Sequence, residues 1–248
     1  MIEALLLAVT RVTTYSPDKL PTNATGFFFA RDGRLFLVTN RHVVRDEPSA
    51  HHPDRIEIEL HVDAENVGAV VPFSIPLYAG ETPVWREFSD TAGVVDVVAI
   101  ELQREALPEA LSVHAFTPDH LLADLDAIEV GAAVRIVGFP LGFHDTVHHL
   151  PVTRQAVVAS AFGIRFQGEG FFLTDARMHR GTSGAPVVAR LSAEQSGRGD
   201  LVAWTLLGIH ASRFDVDHRD KEEDERLSLN CAWYADVLLA LTAAPSAA

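Results

Sequence analysis

Short apolar runs separated by Gly, Pro, Asn and Asp recur along most of the chain. Apolar runs of this length, bounded by turn-forming residues, predict β-strands. The strict alternation over residues 56–62 predicts a strand with one exposed face. Asp32-Gly33 predicts a hairpin turn between strands at residues 26–30 and 35–39. The pattern therefore predicts an all-β protein.

The rest of the chain follows the same pattern, with one helix at its end. Apolar positions at helical spacing over residues 232–241 predict an amphipathic C-terminal α-helix. Residues 105–125 are rich in Pro, Ala and acidic side chains and predict a crossover between two halves, and the charged residues 213–226 predict a solvated loop. Further strands are predicted over residues 5–15, 67–75, 94–102, 133–137, 154–161, 170–174, 185–189 and 202–209.

Ser183 stands in a segment with the composition of a nucleophile loop. Gly181 and Gly184 bracket it, and Pro186 follows before the apolar run 187–189. Glycine at position 181 allows a turn tight enough for the N–H groups of Gly181 and Ser183 to face one small space. Such a donor pair stabilises a developing oxyanion. The tetrapeptide alone is equally compatible with an ordinary turn, so upstream residues decide between the two interpretations.

Two upstream residues supply what a serine nucleophile needs. A serine hydroxyl is a poor nucleophile at neutral pH and requires a base, and His42 lies in the run Thr-Asn-Arg-His-Val-Val, residues 39–44. Asp96 lies inside the apolar run 94–100. A buried carboxylate without a partner is costly, so we expect Asp96 to hydrogen-bond to His42 and orient it.

These segments resemble the trypsin-like serine peptidases. Residues 25–27 and 37–44 resemble the signature of that family's first barrel, residues 96–100 its aspartate strand, and residues 174–186 and 207–210 its second barrel. The resemblance covers residues 25–240 and is closest to the disulfide-free bacterial branch, the HtrA-type and glutamyl-endopeptidase-like enzymes. It implies a chymotrypsin-like fold of two six-stranded antiparallel β-barrels with a C-terminal α-helix. Residues 1–248 would form one domain, with an N-terminal barrel (1–112), a C-terminal barrel (113–231), and a helix and tail (232–248).

The same resemblance implies a serine endopeptidase that works through an acyl-enzyme. His42, Asp96 and Ser183 would be the catalytic triad, and the N–H groups of Gly181 and Ser183 the oxyanion hole. Thr182 replaces the aspartate that zymogen-activated relatives pair with a new N-terminal amine, so activation by cleavage is not expected. The alternative is a pseudo-protease, or a partner-gated peptidase, that binds peptides in the same cleft.

Four residues are candidates for the substrate pocket. His210 resembles the pocket histidine of glutamyl endopeptidases, whereas Met178 stands where those enzymes carry a threonine. Arg177 and Arg213 are further sources of positive charge. A positive charge in a desolvated pocket excludes like charges, so we expect Lys and Arg to be excluded. Selection of acidic side chains stays open, because Met178 offers no hydroxyl donor.

Charge and cysteine content bear on partners and location. Twenty Lys and Arg against 34 Asp and Glu give a net charge of −14, which disfavours nucleic acid and anionic membranes. We expect a peptide or protein substrate, with a regulatory protein partner as an option. Cys231 is the single cysteine and predicts a small buried thiol. The N-terminal apolar run carries Glu3, lacks a basic leading segment and stops at Arg11, so we expect a cytoplasmic protein.

The sequence predicts neither a cofactor nor a metal site. His144 with His148 and His149, and His51 with His52, lie in polar segments. No carboxylate or cysteine accompanies them at ligand spacing, which favours solvated histidines over metal ligands.

Overall fold

The computed structural model describes residues 2–17, 19–190, 204–211 and 228–244. Within those ranges the α-helices are α1 (Ala4–Leu7), α2 (Arg41–Val44) and α3 (Val237–Leu241). None of the helices in this part of the chain is both long enough and apolar enough to cross a membrane. The strands there are β1 (Val9–Ser16), β2 (Lys19–Arg31), β3 (Arg34–Thr39), β4 (Arg55–His61), β5 (Val70–Pro76), β6 (Tyr78–Ala79), β7 (Thr82–Pro83), β8 (Trp85–Arg86), β9 (Ser89–Asp90), β10 (Gly93–Val94), β11 (Val98–Leu102), β12 (Ala133–Gly138), β13 (Val152–Val158), β14 (Phe171–Asp175), β15 (Pro186–Ala189), β16 (Thr205–Ala211) and β17 (Leu229–Tyr234).

The first half is a curled antiparallel sheet of seven strands in the order β5-β4-β1-β2-β3-β11-β8. Its predicted hairpin is confirmed: β2 pairs with β3, and Arg31 faces Arg34 across the turn. Asp32 and Gly33 both have positive φ, at 50° and 74°. Two positive φ angles in a two-residue turn match the right-handed twist of the flanking strands.

The second half is a closed six-stranded antiparallel barrel in the order β12-β13-β14-β17-β16-β15. The helix α3 follows its last strand. The predicted all-β, chymotrypsin-like fold is therefore confirmed, with one difference in the first half. There, seven strands form a curled sheet in place of a closed barrel of six.

The predicted elements at residues 5–15 and 232–241 differ from the structure. Residues 5–7, predicted within a strand, lie in α1, in which Leu5 is buried. The predicted helix at 232–241 begins later, because Ala232 and Trp233 pair with Phe172 and Phe171 in the barrel. A strand buried on both faces is uniformly apolar, and residues 232–241 join such a strand to a short helix, which imitates helical periodicity. The charged segment 213–226, including Arg213, lies outside the described residues.

One apolar core joins the two halves. Phe27 and Phe29 of β2 belong to one buried cluster that also contains Val137 of β12, Leu206 of β16 and, just after β12, Phe139. Burial of side chains this large stabilises the contact by about 1.5–3 kcal/mol each. The seam between the sheet and the barrel is therefore a packed interior, and the residues at its edge are held in fixed positions.

Candidate active site

His42 and Asp96 are joined at the edge of the first sheet. The strand β3 ends at Thr39, and His42 lies in the one-turn helix α2, which the buried Val43 and Val44 hold against the core. The His42 side-chain Nδ1 lies 2.7 Å from Asp96 Oδ2, and the His42 backbone N–H donates to Asp96 Oδ1 over 2.9 Å. With Nδ1–H donating to the carboxylate, the Nε2 lone pair is available to accept a proton.

Asp96 does not lie where the sequence predicted it. The apolar run 94–102 breaks at residues 95–97, between β10 and β11, and the Asp96 side chain is 28% exposed. Its neighbours Val95 and Val97 are buried, which explains the apolar pattern. The Asn40 side-chain amide donates to the Asp96 carbonyl over 2.7 Å. A break in the strand thus turns this carboxylate towards His42 and leaves it partly solvated.

Ser183 lies in a tight loop between β14 and β15. The Thr182 hydroxyl donates to the His179 carbonyl over 2.7 Å, and the Ala185 N–H donates to the Thr182 carbonyl over 3.0 Å. Gly181 and Gly184 have φ angles of 93° and 85°, in the left-handed region that favours glycine. The loop therefore folds on its own hydrogen bonds, with Ser183 at its centre.

The loop is pressed against the first sheet through Gly184. A Cβ at position 184 would overlap the Thr25 carbonyl oxygen and the Thr39 hydroxyl. The Ser183 carbonyl accepts a hydrogen bond from the Thr25 N–H over 2.9 Å. Because Thr39 is three residues before His42, this approach brings the serine loop to the sheet edge that carries His42 and Asp96.

The loop after β12 sets the orientation of the peptide bond between Arg180 and Gly181. The Arg180 carbonyl accepts from the Leu141 N–H over 2.6 Å, and the Gly181 carbonyl accepts from the Thr25 hydroxyl over 2.8 Å. The described part of the chain has no cis peptide bond, so C=O and N–H of each peptide point in opposite directions. The Gly181 N–H consequently points away from Leu141.

His210 backs this loop from β16. The His210 backbone carbonyl accepts from the Gly184 N–H over 2.9 Å, and its N–H donates to the Ala185 carbonyl over 2.8 Å. The side chain is fully buried, and neither ring nitrogen has a partner among the described residues. Burial, reinforced by the nearby His42, lowers the pKa of His210 to about 3. With that pKa, His210 is neutral at pH 7 and would offer no positive charge to a substrate.

The other pocket candidates differ in their surroundings. Arg177 is exposed, and its backbone carbonyl is bonded by the Arg154 guanidinium. Met178 is half-buried against the apolar core of the second barrel. Arg213 lies outside the described residues. His210 is therefore the pocket candidate that the backbone bonds to Gly184 and Ala185 tie to the serine loop.

Cys231 lies near the candidate site but is unreactive. The predicted burial of Cys231 is confirmed, and burial together with the charge of Asp96 raises the pKa of its thiol to about 12. A thiol with that pKa stays protonated and unreactive.

Leu141 was missed by sequence reasoning because its contribution is a backbone N–H. Thr25 contributed to the sequence analysis only as part of the segment 25–27, because its bonds to Gly181 and Phe139 are made by tertiary packing.

Comparison with known proteins agrees with the resemblance. A family model described as a trypsin-like peptidase domain matches residues 24–193. A protease from M. tuberculosis in its active form is 17% identical, with a TM-score of 0.52 over 99% of this chain and 85% of that one. A serine endoprotease from Yersinia pestis is 14% identical, with a TM-score of 0.54 over 96% of this chain and 62% of its own. An inactivated protease paralogue of the scabies mite is 18% identical, with a TM-score of 0.57 over 97% and 94%. No curated protein matches the chain by sequence.

The low pKa of the buried His210 predicts a specific sensitivity to acid. Between pH of about 6.5 and 3 the unfolded chain binds a proton at this residue and the folded chain does not, so stability falls as pH falls through that window. From pH 7 to pH 5 this residue should lower the free energy of unfolding by about 2 kcal/mol. In the variant His210→Leu, the free energy of unfolding should therefore fall less between pH 7 and pH 5 than it does in the wild type. Urea unfolding at both pH values measures this difference.

The matched control for this measurement is His179→Leu, since the side chain of His179 is exposed. It should show the same decrease from pH 7 to pH 5 as the wild type. An equal decrease in His210→Leu and the wild type would contradict the assignment of a neutral buried imidazole.

Proposed function

The chain belongs to the trypsin-like peptidase family, and we propose that it is a serine endopeptidase whose triad is His42, Asp96 and Ser183. Membership of this family makes the chain a hydrolase of the trypsin-like kind. The observation that carries the proposal is the pair of hydrogen bonds by which Asp96 holds both the ring and the backbone of His42. A base oriented in this way is what a serine nucleophile requires.

The proposed reaction proceeds through an acyl-enzyme. His42 Nε2 takes the proton of the Ser183 hydroxyl while Ser183 Oγ attacks the carbonyl carbon of the scissile peptide. The N–H groups of Gly181 and Ser183 stabilise the resulting oxyanion. His42 then gives its proton to the leaving amine as the C–N bond breaks. Water, deprotonated by His42, hydrolyses the ester and regenerates Ser183.

The internal bonds of the serine loop favour a loop that folds without a cleavage event. The Thr182 hydroxyl bonds to the His179 carbonyl, within the loop itself. Thr182 cannot form an ion pair with an amine, and this hydrogen bond replaces that kind of support. The loop is thus held by Thr182 from inside and by Thr25 and Leu141 from outside.

The partner-gated alternative has one observation in its favour. Leu141, Phe143 and Val147 are each about 70% exposed, on the same loop that bonds to the Arg180 carbonyl. Exposed apolar side chains that are grouped on one segment mark interaction sites. A regulatory protein that covered them would act directly on the peptide before Gly181.

The substrate is proposed to be a peptide or protein, with no nucleic acid or membrane as partner. Arg177, Met178, His210 and Arg213 remain the proposed pocket residues. With His210 neutral, the pocket's charge would come from the arginines alone, and Met178 would suit an apolar side chain at the cleavage site. The cytoplasmic location stays a prediction from the single, unpaired cysteine.

Ser183 is predicted to be the residue that reacts with an active-site phosphonate. The purified wild-type chain should form one adduct with a fluorophosphonate probe, mapped to Ser183 by peptide mass spectrometry. The reason is that the oxyanion donors and His42 activate this hydroxyl alone. Ser183→Ala should not be labelled. Digestion of a peptide library by the wild type should give little cleavage after Lys or Arg.

The control for this experiment keeps Ser183 and changes Asp96, which orients His42. Asp96→Asn is nearly isosteric and should retain the fold, while the wrong tautomer of His42 slows turnover by about 10⁴-fold. Adducts at another serine, or turnover of Asp96→Asn near that of the wild type, would refute the triad. Labelling that needs an added protein would support the gated alternative, and predominant cleavage after Lys or Arg would refute the pocket assignment.

The oxyanion role of Gly181 is tested by adding one methyl group. A Cβ at position 181 would lie 2.5 Å from the Phe139 carbonyl oxygen and 3.0 Å from the Leu141 nitrogen. The loop must shift to admit it, so turnover of Gly181→Ala should fall by about 10²–10³-fold. The control is Gly131→Ala, because Gly131 has a similar φ of 85° but open space where an added methyl group would lie. Comparable losses in both variants would show that the effect is general strain.

A further inference from the structure

The loop between β12 and β13, residues 139–151, is attached to β4 of the first sheet by histidines. The His61 ring donates from Nε2 to the His148 carbonyl over 2.9 Å. The His149 Nδ1 lies 3.2 Å from Glu59 Oε1. Both contacts place the far end of the loop over β4. The fold thereby brings the Glu59 carboxylate of β4 against a histidine of this loop.

Glu59, His144 and His149 converge on one point. One ligand atom from each lies within 4.8 Å of the other two. Glu59 Oε2 and His149 Nδ1 are buried and have no hydrogen-bond partner among the described residues. Buried polar atoms without partners cost about 1–3 kcal/mol each, and a bound cation would offset that cost for both of these atoms.

The ring of His144 is oriented for coordination. Its Nδ1 lies 2.6 Å from the Gly142 carbonyl oxygen, so Nδ1 carries the proton and donates it. The lone pair is then on Nε2, at the other side of the ring. A histidine that binds a metal through one nitrogen commonly donates the other N–H to a carbonyl in this way. His144 therefore has the tautomer that a metal ligand needs.

We propose that Glu59, His144 and His149 bind one divalent transition-metal ion, with zinc the best match and water in the fourth position. Two imidazoles and a carboxylate form a donor set that zinc accepts. A tetrahedral site with bonds of about 2.1 Å needs ligand atoms about 3.4 Å apart. The ligand atoms of the three residues lie within 4.8 Å of one another, so small movements of the side chains would bring them to that spacing.

Arg11 is the charged neighbour that opposes a cation here. Its Nη2 lies 2.6 Å from Glu59 Oε1. That bond occupies Oε1 and leaves Oε2 as the oxygen that would coordinate the ion. The net charge of −14 attracts cations to the protein as a whole. We therefore place the metal on the Oε2 side of Glu59, opposite Arg11.

A metal at this site would restrain the loop that carries Leu141. That residue bonds to the Arg180 carbonyl, next to Gly181. The ion would thus connect β4 of the first sheet to the support of the proposed oxyanion hole. This effect on turnover rests on the proposed function, whereas metal binding itself does not.

The test is a titration of the full chain, freed of metal by a chelator, with Co²⁺ and then Zn²⁺. Binding of Co²⁺ should give the visible absorption of a four-coordinate ion at one equivalent per chain, and Zn²⁺ should displace it. His144→Gln and His149→Gln should each weaken Zn²⁺ binding at least about tenfold, measured by competition with a chromogenic chelator. Zn²⁺ should raise the melting temperature of the wild type but not of either variant.

His148→Gln is the matched control, because the His148 ring is about half exposed and bonds to Asp145 instead. It should bind Zn²⁺ as the wild type does. Equal Zn²⁺ binding by all three variants would show that the ion binds to surface histidines in general. An absence of cobalt absorption with the wild type would show that Glu59 and His149 form only an ion pair. Either result overturns the proposal. Ser183→Ala should bind Zn²⁺ normally, so failure of the metal site and failure of the proposed catalysis are distinguished.

Discussion

The hydrogen bonds of Thr25 hold the two halves of the molecule in register. Its N–H donates to the Ser183 carbonyl, and its hydroxyl donates to the Gly181 carbonyl while accepting from the Phe139 N–H. Its own carbonyl accepts from the Thr39 hydroxyl over 2.8 Å. Thr25 is completely buried, and bonds made away from water are costly to leave unmade. One residue of the first sheet thereby bonds to the serine loop on both sides of Thr182.

Steric exclusion makes this arrangement rigid. Gly184 touches Thr25 and Thr39 so closely that no side chain fits, and Gly181 touches the backbone at Phe139. Close packing of this kind has low compressibility and transmits strain. The serine loop therefore has one position set by the first sheet and by the loop after β12. Any ligand that moves residues 139–151, whether a metal or a protein, acts on the same contact.

Sequence reasoning recovered what is local and failed where the fold combines distant backbone groups. The hairpin at Asp32-Gly33 and the runs ending at His42 and Ser183 have signals in neighbouring residues. The break at Asp96 has none, because buried valines on both sides imitate a continuous strand. The neutral state of His210 follows from burial that only the closed barrel creates. Glu59 could not be joined to the loop histidines, since β4 meets that loop through tertiary packing alone.

The seam at Thr25 is tested most directly by the rate at which Ser183 reacts with a fluorophosphonate in Thr25→Val and Thr25→Ser. Valine keeps the shape but removes the hydroxyl, leaving the Gly181 carbonyl and the Phe139 N–H without their partner. Serine keeps the hydroxyl and loses only a methyl group. The account predicts a rate for Thr25→Val about 10²-fold below the wild type, and a rate for Thr25→Ser within a few-fold of it. Equal rates in both variants, with the fold retained, would contradict the claim that this hydroxyl sets the serine loop.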